Sequence, residues 1–148
     1  MSTIRVSAES DIAAPAERVY RILSNYREHH PKILPPAFSN FEVVEGGIGA
    51  GTVMRFDMTV MGRTRPARHR VEEPEPGRVL REIDLDRDLQ TTFTVTPKGD
   101  SSNVRIDTVW NEGGPMGLAM KVMAPRLLGP IYEDELRRLD ACAQDLYD

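Results

Sequence analysis

His69 is the side chain in this sequence whose chemistry and setting best match a reactive group. In the run Thr64 to Glu73, alternation puts it on one face with Ala67 and Val71. An imidazole that titrates near neutral pH on an apolar wall can donate to a carbonyl or act as an acid or base. The plain alternative is a histidine satisfied within the core. Tyr26 and Arg55 are candidate helpers in proton transfer, although alternation turns Arg55 away from Phe56. His29 and His30 are neighbours in sequence, so on a helix they point about 100° apart and cannot chelate as an i, i+4 pair would. No carboxylate or thiolate cluster completes a ligand set around them, and no metal is expected. The two are expected at the end of a short helix, exposed to water.

Other motifs carry less chemistry. Gly47-Ile48-Gly49-Ala50-Gly51 has the glycine density of a phosphate-binding loop, but no lysine-serine pair follows and a strand, not a helix, comes next. The glycines are read as a turn that needs positive φ. Cys142 is the only cysteine, so no intramolecular disulfide forms, and its place on a helix points to packing. No serine nucleophile elbow, paired-carboxylate arrangement or cofactor fingerprint is present, and no cofactor is expected.

The elements that must position these residues follow from periodicity. Ile4, Val6 and Ala8 alternate with Arg5, Ser7 and Glu9 as in a half-buried strand. Pro15 opens a helix with Val19, Ile22, Leu23 and Tyr26 on one face. Asn25 stands three residues before Glu28, a variant of the capping box, and Pro31 is read as the stop of a short second helix. Strands are then predicted at 41–45, 52–61, 64–73, 79–85, 90–96 and around Val104 to Trp110, separated by turn residues. In the long strand at 52–61, Met54, Phe56, Met58 and Val60 share a face. Short connections force antiparallel pairing, because a parallel pair needs a long crossover.

The C-terminal stretch is helical in two halves. Met116, Leu118, Met120, Val122, Met123, Leu127 and Leu128 make the first half apolar over much of its circumference. A kink or break is expected at Pro125 or Gly129-Pro130. The second half is amphipathic, with Tyr132, Leu136, Leu139, Ala143 and Leu146 as its stripe.

This order of elements resembles the START, polyketide-cyclase and birch-pollen-allergen (SRPBCC) superfamily. Ala14-Pro15-Ala16-Glu17-Arg18-Val19-Tyr20-Arg21-Ile22-Leu23-Ser24 is similar to the first-helix signature of that group. The glycine-rich turn before the long strand is similar too, as is Val71-Glu72-Glu73-Pro74-Glu75-Pro76-Gly77. The resemblance covers essentially the whole chain. It implies an α+β helix-grip fold: a seven-stranded, curved antiparallel sheet around a long C-terminal helix, with two short helices after strand one. Residues 1–148 would form one ligand-binding domain.

Such a sheet leaves a space beneath the helix. Met54, Phe56, Met58, His69, Phe93, Val95, Trp110, Met120 and Met123 are the candidate ligand-binding residues, with Met116 beside them. Methionine adapts to irregular shapes, and an apolar pocket with few polar groups suits a small molecule. The glycine turn is expected at the cavity rim and the two adjacent histidines near its entrance. Three functions stay open: binding or transport of a hydrophobic lipid or polyketide-like molecule, a polyketide cyclase or dehydratase with His69 moving protons, and a protein-interaction module with a filled core.

The charge balance bears on partners. With 19 Lys and Arg against 23 Asp and Glu, the formal net charge is −4, which disfavours a nucleic-acid partner. The run Arg63-Thr64-Arg65-Pro66-Ala67-Arg68-His69-Arg70 is the one basic candidate. As a strand it would split Arg63 and Arg65 from Arg68 and Arg70 unless Pro66 marks a bulge, and it is read as a solvated edge. No stretch reaches the roughly 20 apolar residues of a membrane span. Met1 to Ser7 lacks the apolar core of a signal peptide, so a cytoplasmic location is expected.

Overall fold

The computed structural model describes residues 1–147, with side chains up to Asp145. In chain order the elements are β1 (Ser2–Ile12), α1 (Ala16–Ser24), α2 (His30–Ile33), β2 (Phe38–Glu45), β3 (Val53–Val60), β4 (Arg63–Glu75), β5 (Val79–Asp84), β6 (Leu89–Lys98), β7 (Ser101–Glu112) and α3 (Gly114–Tyr147). All seven strands form one antiparallel sheet in the order β1-β7-β6-β5-β4-β3-β2. Each neighbour from β2 to β7 is joined by a short hairpin. β1 then pairs along its whole length with β7, from Ser2↔Glu112 to Ile12↔Ser102. This is the helix-grip arrangement, with the long helix lying against the inner face.

The core is built from one face of each element. Ile4 and Val6 of β1, Met54 and Phe56 of β3, Leu80 of β5, Phe93 and Val95 of β6, and Val104 and Ile106 of β7 are buried at alternate positions. The α1 face of Val19, Ile22 and Leu23 closes the sheet from one end. Tyr132, Leu136, Leu139 and Ala143 of α3 meet it at the expected helical spacing. The side chain of Leu146, assigned to the same stripe, lies outside the described residues.

Several local expectations are corrected. α3 runs unbroken through Pro125 and Pro130, 34 residues in all, where a kink or break was expected. Both prolines sit on the exposed side, where their rings meet water and tertiary packing holds the rest of the helix. Pro31 does not stop α2 but lies in its first turn, a position where no N–H is needed. Asn25 does cap locally, its Oδ1 accepting the N–H groups of Arg27 and Glu28. The arginine run is a solvated edge only in part: residues 63–66 are exposed and pair with β3 alone, whereas from His69 onward β4 also pairs with β5.

Pro66 introduces no bulge. The β3–β4 register runs evenly through Asp57↔Pro66. Pairing with β5 has stopped at His69↔Asp84, so the missing N–H of Pro66 interrupts no ladder on that side. The bulge in β4 falls between Glu72 and Glu75, around Pro74.

The start of α3 passes close over the end of β7. A Cβ on Gly117 would collide with the carbonyl oxygen of Glu112, so only glycine allows this approach. Beyond it, the first half of α3 is not buried. Met116, Leu118, Val122 and Met123 are exposed, Met120 is half-buried and Ala124 is fully enclosed.

Candidate functional site

Between the inner face of the sheet and α3 lies a cavity of about 640 Å³. Its walls hold Met54, Phe56, Met58, His69, Phe93, Trp110, Met120 and Met123 from the sequence-based set. Met116 lies on the same wall. Val95 is buried two residues beyond Phe93 on β6 but is not among the lining residues. The even-numbered residues of β3 therefore look inward at α3 across open volume, and the core is not filled. Arg55 points to the outer face, where its Nε and Nη2 both donate to Oε2 of Glu42. It has no access to the cavity.

Cys142 is half-buried on α3 and does not line the space. The Gly47–Gly51 turn is also away from it, which corrects the expected rim position. Its glycines do adopt positive φ, and its N–H groups are used locally: Gly49 donates to the carbonyl of Ser24 at 2.8 Å.

Inside the apolar wall sits a polar network that the sequence did not announce. β5 turns Leu80, Glu82 and Asp84 inward. Since His69 pairs with Asp84 across the β4–β5 ladder, its ring lies between the two carboxylates. Nδ1 is 3.4 Å from Glu82 Oε1 and Nε2 is 3.6 Å from Asp84 Oδ2. The phenol of Tyr26 donates to Glu82 Oε2 at 2.7 Å. Asp84 Oδ1 accepts the backbone N–H groups of Asp86 and Arg87 at 2.8 and 3.0 Å. The Phe56 ring meets His69 edge-on, 5.0 Å between centroids.

His30 belongs to this network, which corrects its expected exposure. It is 2% exposed and lines the cavity. Its ring stacks on Tyr26 with centroids 4.3 Å apart. Nδ1 donates to the Leu23 carbonyl at 2.7 Å, since a carbonyl can only accept. His29 lies just before α2, outside the lining.

Protonation states follow from these surroundings. Burial by itself would depress His69, but its hydrogen bonds to Asp84 and Glu82 outweigh that and raise it to about 9. Burial would raise Asp84, yet the same imidazole and the backbone N–H groups bring it down to about 2. Glu82 is likewise held below its ordinary value, because its contacts with His69, His30 and Tyr26 overcome burial. For His30, burial wins and the ring is pushed toward its neutral form. At neutral pH the centre is therefore an imidazolium clamped by two carboxylates.

Glu135 is the exception. It stands on α3 at 3% exposure and lines the same cavity. Burial, then the nearby charges of Glu82 and Asp134, hold its carboxyl well above the ordinary value, so it keeps its proton. Beside it, Tyr132 shares a hydroxyl contact with Thr108 at 2.6 Å, and Thr108 one with Thr91 at 2.8 Å. Replacing Tyr132 by Phe is expected to cost roughly 1 kcal/mol in urea unfolding, the usual worth of one buried hydrogen bond. A loss under a few tenths would mean that the chain of hydroxyls carries no weight.

The cavity's outer lining is basic and apolar together. Arg63, Arg65 and Arg87 line it beside Val60, Met61 and Met116. Arg68 and Arg70 face the other side of the sheet and pair with Asp86 and Glu72. The arginine run is thus split by the pleat and presents no continuous basic face. Among the described residues, no group of three or more His, Cys, Asp or Glu side chains is arranged to hold a metal. No helix there is long and apolar enough to cross a membrane.

Relatives share this architecture. The KanY protein, known from a solution structure, is 30% identical, with a TM-score of 0.85 over 97% of this chain and 99% of its own. A START superfamily protein from Mycobacterium smegmatis is 21% identical, with a TM-score of 0.73 over 96% and 98%. The Zhui aromatase/cyclase from Streptomyces sp. R1128 is 16% identical, with a TM-score of 0.73 over 96% and 94%. At those last two identities the likeness is one of fold. No curated protein sequence matches the chain. The family described as polyketide cyclase / dehydrase and lipid transport matches residues 3–144, nearly the whole of this frame: this chain belongs to that family.

Proposed function

We propose that this protein binds or carries a hydrophobic small molecule, lipid or polyketide-like, in the cavity beneath α3. The observation that carries the reading is the open volume of about 640 Å³ against Met54, Phe56, Met58, Phe93 and Met120. Burying a ligand there gains about 25 cal/mol per Å2 of apolar area, and a few polar groups fix its orientation. Native mass spectrometry of protein purified from its own source is expected to show a co-purifying apolar ligand. Failing that, a naphthalene-type fluorophore is expected to bind one to one and to be displaced by long-chain ketones. A protein that arrives empty and binds no such probe is not a carrier.

A second reading, a cyclase or dehydratase acting on a poly-carbonyl substrate, is favoured by the polar network. Buried charges are costly and cluster where chemistry or recognition needs them. Both nitrogens of His69 already face carboxylates, so its part would be to hold Glu82 and Asp84 in place rather than to take a proton from substrate. His69→Ala with unchanged turnover of a poly-carbonyl substrate would remove it from the reaction altogether.

A further inference from the structure

Glu135 is the most buried acid of the cavity wall and, unlike Glu82 and Asp84, has no hydrogen-bond partner among the described residues. Glu82 receives the Tyr26 hydroxyl and the His69 ring, and Asp84 receives two backbone N–H groups. No described residue offers Glu135 a hydrogen bond, and the charges that raise it are those of Glu82 and Asp134. A buried carboxyl left unsatisfied costs about 1–3 kcal/mol, which a sequence retains where something else completes it. A leucine at the same point of the Tyr132, Leu136, Leu139 stripe would pack without that cost.

We infer that Glu135 is the ligand's polar anchor: a carboxylic acid that donates its O–H to a carbonyl oxygen of an otherwise apolar guest. The inference rests on the cavity being a ligand site and names the chemical class of the guest, a ketone or comparable carbonyl compound. A carbonyl has only lone pairs to offer, and the neutral carboxyl of Glu135 carries an O–H that no described residue accepts. The two histidines that line the cavity do not compete for the ligand oxygen. His69 is held between Glu82 and Asp84, and the Nδ1–H of His30 is directed at Leu23. The aromatic and methionine walls then enclose the remainder of the guest, as Phe56, Phe93 and Met120 do here.

The test uses 2-acetylnaphthalene and its carbonyl-free counterpart 2-ethylnaphthalene on the wild type, Glu135→Gln and Glu135→Leu. Gln keeps a donor at the same place and Leu removes it. Wild type and Glu135→Gln are expected to bind the ketone, and Glu135→Leu to bind it about tenfold more weakly. The hydrocarbon is expected to bind all three alike. The carbonyl stretch of the bound ketone, read by isotope-edited infrared, is expected at lower frequency in the wild type and in Glu135→Gln than in Glu135→Leu. Equal ketone affinity and an unmoved stretch in Glu135→Leu would overturn the anchor while leaving the cavity reading intact. So would tighter binding of 2-naphthylmethylamine that vanishes in Glu135→Gln, because that is an ion pair. If neither naphthalene binds any form, the cavity reading fails and the anchor falls with it.

Discussion

Glu82→Ala is expected to lower the free energy of unfolding by about 3–5 kcal/mol, the usual cost of breaking a buried charge pair from one side. Three groups lose their partner at once. The Tyr26 hydroxyl, 2.7 Å away, is left in a fully buried site. His69 keeps only Asp84, and its positive charge is compensated less. His30, stacked on Tyr26, loses the carboxylate 3.7 Å from its Nε2. Glu82→Gln is expected to cost less, since its amide oxygen still accepts from Tyr26. Glu42→Ala serves as the control: its pair with Arg55 is more than half exposed, and such pairs are worth about 0–1 kcal/mol. Urea unfolding with an unchanged m-value measures all three. A Glu82→Ala loss no larger than that of Glu42→Ala would mean that the network is not organised as described.

How far the sequence discloses this site depends on which signal each element carries. In β3 the inner face is Met54, Phe56 and Met58 and the outer face is charged, so alternation states the orientation outright. β5 gives the opposite message. Val79, Ile83 and Leu85 are the apolar alternates, and a hydrophobic pattern alone would turn them inward and the acids Glu82 and Asp84 outward. The structure reverses this, because His69 on the neighbouring strand supplies the charge that makes two inward carboxylates tolerable. A partner on another strand is not visible from within the segment.

The same holds for His30, whose burial is decided by the stack on Tyr26 and the Leu23 carbonyl rather than by anything next to it in sequence. Glu135 was more accessible to reasoning. It stands three residues after Tyr132 and four before Leu139, so helical spacing places it on the inner face, and a carboxyl there is a conflict between pattern and residue type. The continuity of α3 was not legible, since local propensity argues for a break at Pro125 and Pro130 and only packing against β1 and α1 overrides it. The antiparallel meander, by contrast, follows from turn spacing and hairpin length, which are local, while its wrapping round the long helix is what the resemblance implies.

Alkaline loss of stability is the second large effect. His69 is raised from an ordinary 6.5 to about 9 in the fold, so it binds a proton more tightly folded than unfolded. Its contribution is fully present below pH 6.5 and is lost as pH rises through 9, about 3 kcal/mol over that window. Glu135 acts with the same sign from lower pH. Its folded value lies above 4.5, so its contribution is present below 4.5 and lost as pH climbs through the raised value. Asp84, lowered to about 2, works in the other direction, losing its share only as pH falls below 3.8 through 2. That share arises from the contact already counted at His69 and is not added to it. Urea unfolding at pH 6, 7.5 and 9 is therefore expected to show a steady decline. His69→Gln should remove the part between 6.5 and 9, and a further Glu135→Gln should reduce the decline again, against the opposite slope of His30 near pH 6. Measurements stop short of about pH 10, where unfolded tyrosines ionise while the buried Tyr26 and Tyr132 resist. A wild type whose stability is flat from pH 6 to 9 would show that His69 is not clamped as an imidazolium, and the electrostatic account of the cavity floor would have to be abandoned.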